Sequence, residues 1–269
     1  MSLQSITDAE FMKFQRFIYE VAGISMADAK KPLVTGRLHK RLAHYGLDSF
    51  GQYFQLLSSG QYPDEVQMAV DLLTTNETYF FREIKHFEFL RKLALQERDR
   101  SAMFRVWSAA SSSGEEAYSI AMVLADCMQS TQWEVMGTDI STRVLEGARR
   151  ALYTLERARH VPDNYRKKFC RKGTGQYEGY LLIDRSLRTH VSFRQVNLNN
   201  TLPELGQFDV VFLRNVMIYF NNETKRQVVA RVIANIKPKG YFMIGHSESL
   251  NDISQAVQMV APSVYRKGA

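Results

Sequence analysis

The stretch Val106–Ala121 reads VWSAASSSGEEAYSIA, and it decides how the rest of the chain is read. Val106 and Trp107 lead into a run of small residues, a single glycine at 114, and then a segment of helical character. A strand that hands a ligand to a helix N-terminus has this outline. A dinucleotide site would add glycines so that the backbone can approach a pyrophosphate. Here alanines and serines fill 109–113, and Glu115 and Glu116 stand where they would repel phosphate. The turn thus asks for a ligand that resembles adenosine but is cationic where it meets the loop. S-adenosylmethionine fits, with a sulfonium, an ammonium and no phosphate. The competing reading is that the two acids only complement the helix dipole, and the stretch alone does not separate the two.

Other positions add weight. Asp139 closes a second apolar strand, WEVMGTDIS (133–141), where an acid can accept hydrogen bonds from both ribose hydroxyls. The lesser alternative is an ordinary Asp that caps the next helix. A third strand, FDVVFLRNVMIYF (208–220), runs out into Arg214, Asn215 and Tyr219, at the carboxyl edge where open α/β sheets bind ligands. Asn197 and Leu198, in VNLNN (196–200), lie on a loop placed to frame an adenine.

Around these stretches the chain divides. Up to about residue 75 only helical signals occur: Thr7 with Glu10 as a capping box, a stripe of Phe11, Phe14, Ile18 and Val21, Pro32 near a second helix start, Ser49 with Gln52 as another box, and Pro63 opening a fourth helix. TTNETYFFRE (74–83) reads as a linker into a helix from about 84 to 96. After Arg100 strands and helices alternate, which implies a parallel, doubly wound sheet ending in a helix at about 223–236, a break at KPKG (237–240) and the strand YFMIGH (241–246). Residues ~153–195 interrupt that rhythm, and the turn glycines of GTGQYEGYLLIDRSLRTHVSFRQV (173–196) read as a small antiparallel insert, about 172–195.

Composition sets the outer bounds. The 269 residues are 45% hydrophobic and 23% charged, ordinary for a folded soluble protein. No run approaches the roughly 20 apolar residues of a membrane span, and no signal peptide is visible. The two cysteines cannot make a disulfide framework, and neither they nor the six histidines show metal-ligand spacing, so a cytoplasmic, metal-free protein is expected. The net charge of +7 suits nucleic acid, an anionic surface or an acidic protein and does not choose among them. Arg37, Lys40, Arg41 and His44 share one helical face by their spacing.

TTNETYFFRE, WSAASSSGEEAYSIA, GTDIS, VNL, FLRNVMIYF and GHSESL occur in this order along nearly the whole chain. Together they resemble the CheR family of chemotaxis receptor methyltransferases. The resemblance implies an α/β fold of class I S-adenosylmethionine-dependent methyltransferase type, a Rossmann-like doubly wound sheet with an all-helical N-terminal domain and a small inserted antiparallel β-subdomain. The corresponding domains are 1–75, a connecting segment 76–98, and 99–269. It implies S-adenosylmethionine contacts at Asn76, Thr78, Arg82, Glu116, Asp139, Asn197, Leu198, Arg214 and Asn215, and places Arg82 and Tyr219 at the reacting groups. The implied reaction is methyl transfer to glutamate side chains of chemoreceptor cytoplasmic domains, giving γ-glutamyl methyl esters and S-adenosylhomocysteine for sensory adaptation. The helical domain is implied to dock the acidic methylation helices, a role carried to Arg37, Lys40 and Arg41, although a merely solvated face accounts for the same residues. In part of the family the insert holds a receptor C-terminal tail peptide by strand addition; a structural hairpin is the alternative. A monomer recruited to membrane receptor arrays is expected, with no nucleic acid and no membrane insertion. Rival classes are an RNA methyltransferase, disfavoured by Arg214–Met217 where a proline-containing motif would stand, and a non-catalytic adaptor that binds S-adenosylmethionine.

Overall fold

The computed structural model describes residues 5–97, 101–128 and 131–268. They form two compact units, one of residues 1–75 with 219–225 and one of 76–218 with 226–269.

In the helical unit, α1 (Asp8–Ala22) begins at a complete capping box: the Thr7 hydroxyl accepts the Glu10 N–H, and Glu10 Oε2 accepts the Thr7 N–H at 2.9 Å. Phe11, Phe14 and Ile18 then recur at helical spacing and are buried. Helix α2 (Lys31–Tyr45) carries Pro32 in its first turn and buries Val34, Leu38 and Leu42. Helix α3 (Phe50–Ser58) starts at Ser49, whose hydroxyl accepts the Gln52 N–H; the Gln52 side chain caps Asp48 instead of Ser49, so half of the expected box forms. Helix α4 (Pro63–Leu73) closes the bundle. Phe14 is its centre, stacked on Tyr53 and edge-on to Phe50 and Phe54.

This packing redistributes the basic face of α2. Glu65, in the first turn of α4, is only 4% exposed. Arg41 grips it with two hydrogen bonds of 2.8 and 2.5 Å, and Tyr53 and Tyr45 donate their hydroxyls to it. Arg37 donates to the carbonyls of Leu73 and Thr74 and so caps α4. Both guanidiniums, expected as a solvent-facing docking surface, are committed within the bundle, because a buried carboxylate and a helix end need donors. Lys40 and His44 stay exposed.

In the other unit, α5 (Ile84–Gln96) precedes an alternation of β1 (Phe104–Ser108), α6 (Glu115–Cys127), β2 (Trp133–Asp139) and α7 (Thr142–Arg150). Then come β3 (Leu152–Thr154), α8 (Asp163–Phe169), β4 (Cys170–Lys172), β5 (Tyr180–Ile183) and α9 (Arg185–Arg188). The chain continues through β6 (Val191–Gln195), β7 (Phe208–Leu213), α10 (Asn222–Ala234), β8 (Ile236–Ile244), β9 (Val257–Ala261) and β10 (Val264–Lys267). The main sheet has the order β6-β2-β1-β7-β8-β10-β9, parallel from β6 to β8, with an antiparallel hairpin at the end. In chain order its strands lie 3-2-1-4-5-7-6, the doubly wound arrangement that the resemblance implies. The order reverses between β1 and β7, and the crevice for a ligand opens at such a switch point. Helix α6 is buried on nearly every side, with Ile120, Ala121, Met122 and Leu124 at no measurable exposure.

Three boundaries differ from the sequence reading. The small antiparallel sheet is β3-β5-β4, beginning at Leu152, and Val191–Gln195 is the parallel edge strand of the main sheet instead. Asp184 caps α9 and ends the insert there, so the β-prone run that follows is free to pair with β2. KPKG lies inside β8, where Lys239 takes a positive φ of 63° and the pairing with β7 slips. The closing hairpin β9–β10 was not anticipated.

For Arg41→Ala, which strands the Glu65 carboxylate, denaturant unfolding is expected to show a loss of about 3 kcal/mol, against less than about 0.5 kcal/mol for Lys40→Ala. Burial pushes the Glu65 carboxyl up, but Arg41 and the tyrosines outweigh it and hold it below its ordinary value. Its stabilisation is therefore present above the unfolded-state pKa and lost as pH falls through the lower folded-state value. In Arg41→Ala that acid loss should shrink.

Candidate functional site

The carboxyl ends of β1, β2 and β7 meet at the turn after β1. Ser112 adopts φ 50° and Gly114 φ 94°, and a side chain at 114 would strike Ala148, Tyr153 and Phe193. Three of the turn's amides are already committed. Ser111 N–H donates to the Thr138 carbonyl, Ser112 N–H to Asp139 Oδ2 at 2.9 Å, and Gly114 N–H to the Ser111 carbonyl. A phosphate would need these groups free. Asp139, 7% exposed, also accepts the Ser141 N–H through its other oxygen. Its carboxylate is thereby fixed at the strand end. Val196 N–H donates to the Asp139 carbonyl, which brings Asn197 and Leu198 alongside; Asn197 Oδ1 accepts the Asn199 N–H, closing an Asx turn.

The second half of the site is built on Arg214, whose side chain is 1% exposed. One guanidinium nitrogen donates to Glu116 Oε2 at 2.6 Å; the other donates to Glu83 Oε2 at 2.9 Å and to the Arg82 carbonyl. Ser108 completes Glu116 with a 2.7 Å bond. Glu83 also accepts from Asn215 Nδ2 and the His246 N–H. Burial pushes the Glu83 carboxyl up, but Arg214 outweighs that and holds it below the usual carboxylate range. Two carboxylates share one guanidinium, so this cluster carries excess negative charge that suits a cationic ligand. Glu248 ties the loop from below, accepting the N–H groups of Gly245, Asn215 and Met217 at 2.7–2.9 Å. A side chain at Gly245 would collide with Asn215 and Glu248. Glu83 and Asn215 both hold left-handed backbone conformations, at φ 60° and 57°, and such strain gathers at functional sites.

The segment 76–83 lies along α6. The Asn76 carbonyl accepts the Ser112 hydroxyl, Phe81 N–H donates to Ser119, and Thr78 is half-buried between them. Arg82 is half-buried, bonded to the Glu77 carbonyl and 5.8 Å from the Tyr79 ring centroid. Thus Glu116, Asp139, Arg214 and Asn215 occupy neighbouring strand ends and the α6 start, with Asn76 and Asn197 tied in by backbone bonds. Tyr219 falls in the segment grouped with the helical unit, where its carbonyl accepts the Ser25 N–H.

Residues the sequence reading passed over carry much of the support. Glu115, read as a possible helix-dipole acid, is fully buried and forms an ion pair with Arg157 of the insert. Arg157 also donates to the Ser113 hydroxyl at 2.7 Å, and the Tyr153 hydroxyl donates to the Ser113 carbonyl at 2.7 Å. The insert therefore props the turn. Only the pairing of GHSESL with FFRE in one chain hinted at Glu83 and Glu248.

Comparison with known proteins agrees with this architecture. Residues 9–74 match the family model described as CheR methyltransferase, all-alpha domain, and residues 76–265 the one described as CheR methyltransferase, SAM binding domain. The chain is 40% identical over 266 residues to the chemotaxis protein methyltransferase of Escherichia coli K12, covering 97% of this chain and 91% of that one. It is 40% identical over 262 residues to chemotaxis protein methyltransferase 2 of Pseudomonas aeruginosa PAO1, covering 96% and 93%. Among the described residues, no helix is long and apolar enough to cross a membrane.

Arg157→Ala is expected to lower stability by about 2–4 kcal/mol, because it leaves Glu115 charged and buried without its cation. Burial already holds the Glu115 pKa above its ordinary value. Removing Arg157 raises it further, so the ionised form costs most above that value and the deficit should narrow as pH falls through it. Denaturation at several pH values measures this.

Proposed function

The chain belongs to the CheR methyltransferase family, and on that footing we propose that it transfers the methyl group of S-adenosylmethionine to glutamate carboxylates of chemoreceptor cytoplasmic domains. The products would be γ-glutamyl methyl esters and S-adenosylhomocysteine, serving sensory adaptation. The observation that carries the reading is the charge and bonding of the site: committed turn amides, buried acids in excess, and Asp139 fixed at the end of β2. These residues fit S-adenosylmethionine. Asp139 would accept the ribose hydroxyls, Asn197 and Leu198 would frame the adenine, and Glu116 with the backbone near Asn76 would receive the ammonium. Bound there, the cofactor supplies a methyl group on a positively charged sulfur.

The remaining work belongs to the protein's own groups. A glutamate with a pKa of about 4.3 is already ionised at neutral pH, so no general base is required. The substrate's part would be to present one carboxylate oxygen to the methyl group, with the carbon–sulfur electron pair left on sulfur. The enzyme must place that carboxylate in line and strip its water. Arg82 offers a cation for this positioning, and Tyr219 carries the hydroxyl that the family resemblance assigns to it. Lys40 and His44, exposed on α2, are the residues of the basic face left to attract acidic methylation helices. The insert's outer strands supply an edge to which a receptor tail can add, which would raise the local concentration of substrate.

Asp139→Ala is expected to weaken S-adenosylmethionine binding at least about 10-fold, from lost hydrogen bonds to a charged group; calorimetry showing unchanged affinity would remove Asp139 from the site. Transfer of labelled methyl to receptor cytoplasmic fragments, with and without their last residues, tests the whole reading. Base-labile label supports carboxyl methylation, and its loss on tail removal supports tethering. Absence of label despite cofactor binding would shift the weight to a non-catalytic adaptor or another acceptor, RNA among them.

A further inference from the structure

Glu83, His86 and His246 lie beside the Arg214 network, and one nitrogen or oxygen from each falls within 4.8 Å of the others. His86 Nδ1 is 3.4 Å and His246 Nε2 4.0 Å from the same Glu83 oxygen. His86 is 1% exposed, yet neither of its ring nitrogens has a hydrogen-bond partner. Buried polar groups are almost always satisfied, so an unmatched Nδ1 on a buried ring that faces the Glu83 carboxylate points to a ligand between them. The His246 ring stands edge-on to His86 at 4.9 Å and is itself exposed. A cavity of about 490 Å³, lined by both histidines with Phe89, Pro262 and Val264, gives access from solvent.

We propose that Glu83, His86 and His246 bind a divalent transition metal, best met by zinc. Two imidazoles and one carboxylate are a borderline-soft set that suits Zn²⁺ and does not suit Mg²⁺ or Ca²⁺, which prefer oxygen shells. Bonds of about 2.0–2.1 Å in a tetrahedron put ligand atoms about 3.3 Å apart. The His86–Glu83 pair already has that spacing, and a small rotation of the exposed His246 ring brings in the third ligand. Water from the cavity fills the fourth position.

The shared oxygen sets the consequence. Glu83 Oε2 also accepts from Arg214, and a dication there repels the guanidinium. Metal binding therefore loosens Arg214 from Glu83. Resting on the cofactor-site reading above, it should weaken S-adenosylmethionine binding, and by linkage the cofactor should weaken the metal by the same factor. Lys85 and Lys92, which line the cavity, oppose a cation as well, so binding is moderate and reversible.

The test titrates Zn²⁺, and Co²⁺ as a spectroscopic probe, into the full metal-free chain without cofactor, which keeps this result separate from the methyltransferase reading. One saturable equivalent with the intense visible bands of four-coordinate Co²⁺ is expected, weakened at least about 10-fold in His246→Ala. His86→Gln is the second variant, read only if its circular dichroism matches the parent. A Cys127→Ser/Cys170→Ser variant should bind as the parent does. No stoichiometric binding, or binding unchanged in both histidine variants, overturns the site. Cofactor affinity that zinc leaves unaltered in the parent overturns the antagonism.

Discussion

The structure depends on one buried guanidinium. Arg214 emerges from the end of β7 with almost no solvent contact, and a charge in that position survives only if it is paired and its hydrogen bonds are filled. Glu116 at the start of α6, Glu83 just before α5 and the Arg82 carbonyl take its two terminal nitrogens, while Nε has no partner. A strand end, a helix start and the connecting segment are thereby locked into one arrangement. Glu83 and Asn215 hold left-handed conformations beside the guanidinium and bond to one another, and Glu248 holds the following loop by its backbone amides. Burial pushes the Glu248 carboxyl above its ordinary value even against those donors.

Selectivity follows from how the donors are used. A nucleotide-binding turn and this one share a strand, a tight bend and a helix. They differ in that the amides of Ser111, Ser112 and Gly114 already serve Thr138, Asp139 and the turn itself. The carboxylates of Asp139 and Glu116 at the strand end and helix start add acceptor chemistry, which favours an adenosine ligand with hydroxyls and positive charge. The insert contributes beneath this surface: Tyr153 and Arg157 hold Ser113, and Arg157 neutralises Glu115. The small antiparallel sheet is thus in direct contact with the turn that would hold the cofactor.

Much of this was legible in the sequence because it follows from spacing. The turn at 109–114, Asp139 at a strand end, Arg214 and Asn215 after an apolar run, and the helical first 75 residues all announce themselves by local pattern. What stayed hidden depends on pairing between distant segments. Glu65 looks like a first-turn helix acid until Arg41 and two tyrosines close on it. Glu115 looks the same until Arg157 arrives. Glu83, His86 and His246 come together only when α5 packs beside the end of β8. The run at 191–195 fits an insert or an edge strand equally well, and only the capping of α9 by Asp184 decides. The closing hairpin escaped because Pro262 and Ser263 are a weak turn signal.

The most direct measurement is calorimetric titration of S-adenosylmethionine into the parent chain and into Arg214→Lys, with folding checked by circular dichroism. Lysine keeps the charge but, as a point donor, cannot reach Glu116, Glu83 and the Arg82 carbonyl together. The account predicts a folded variant whose affinity falls at least about 10-fold, because the acids around the ligand lose their fixed positions. A folded variant that binds the cofactor as tightly as the parent would contradict the central place given to this guanidinium.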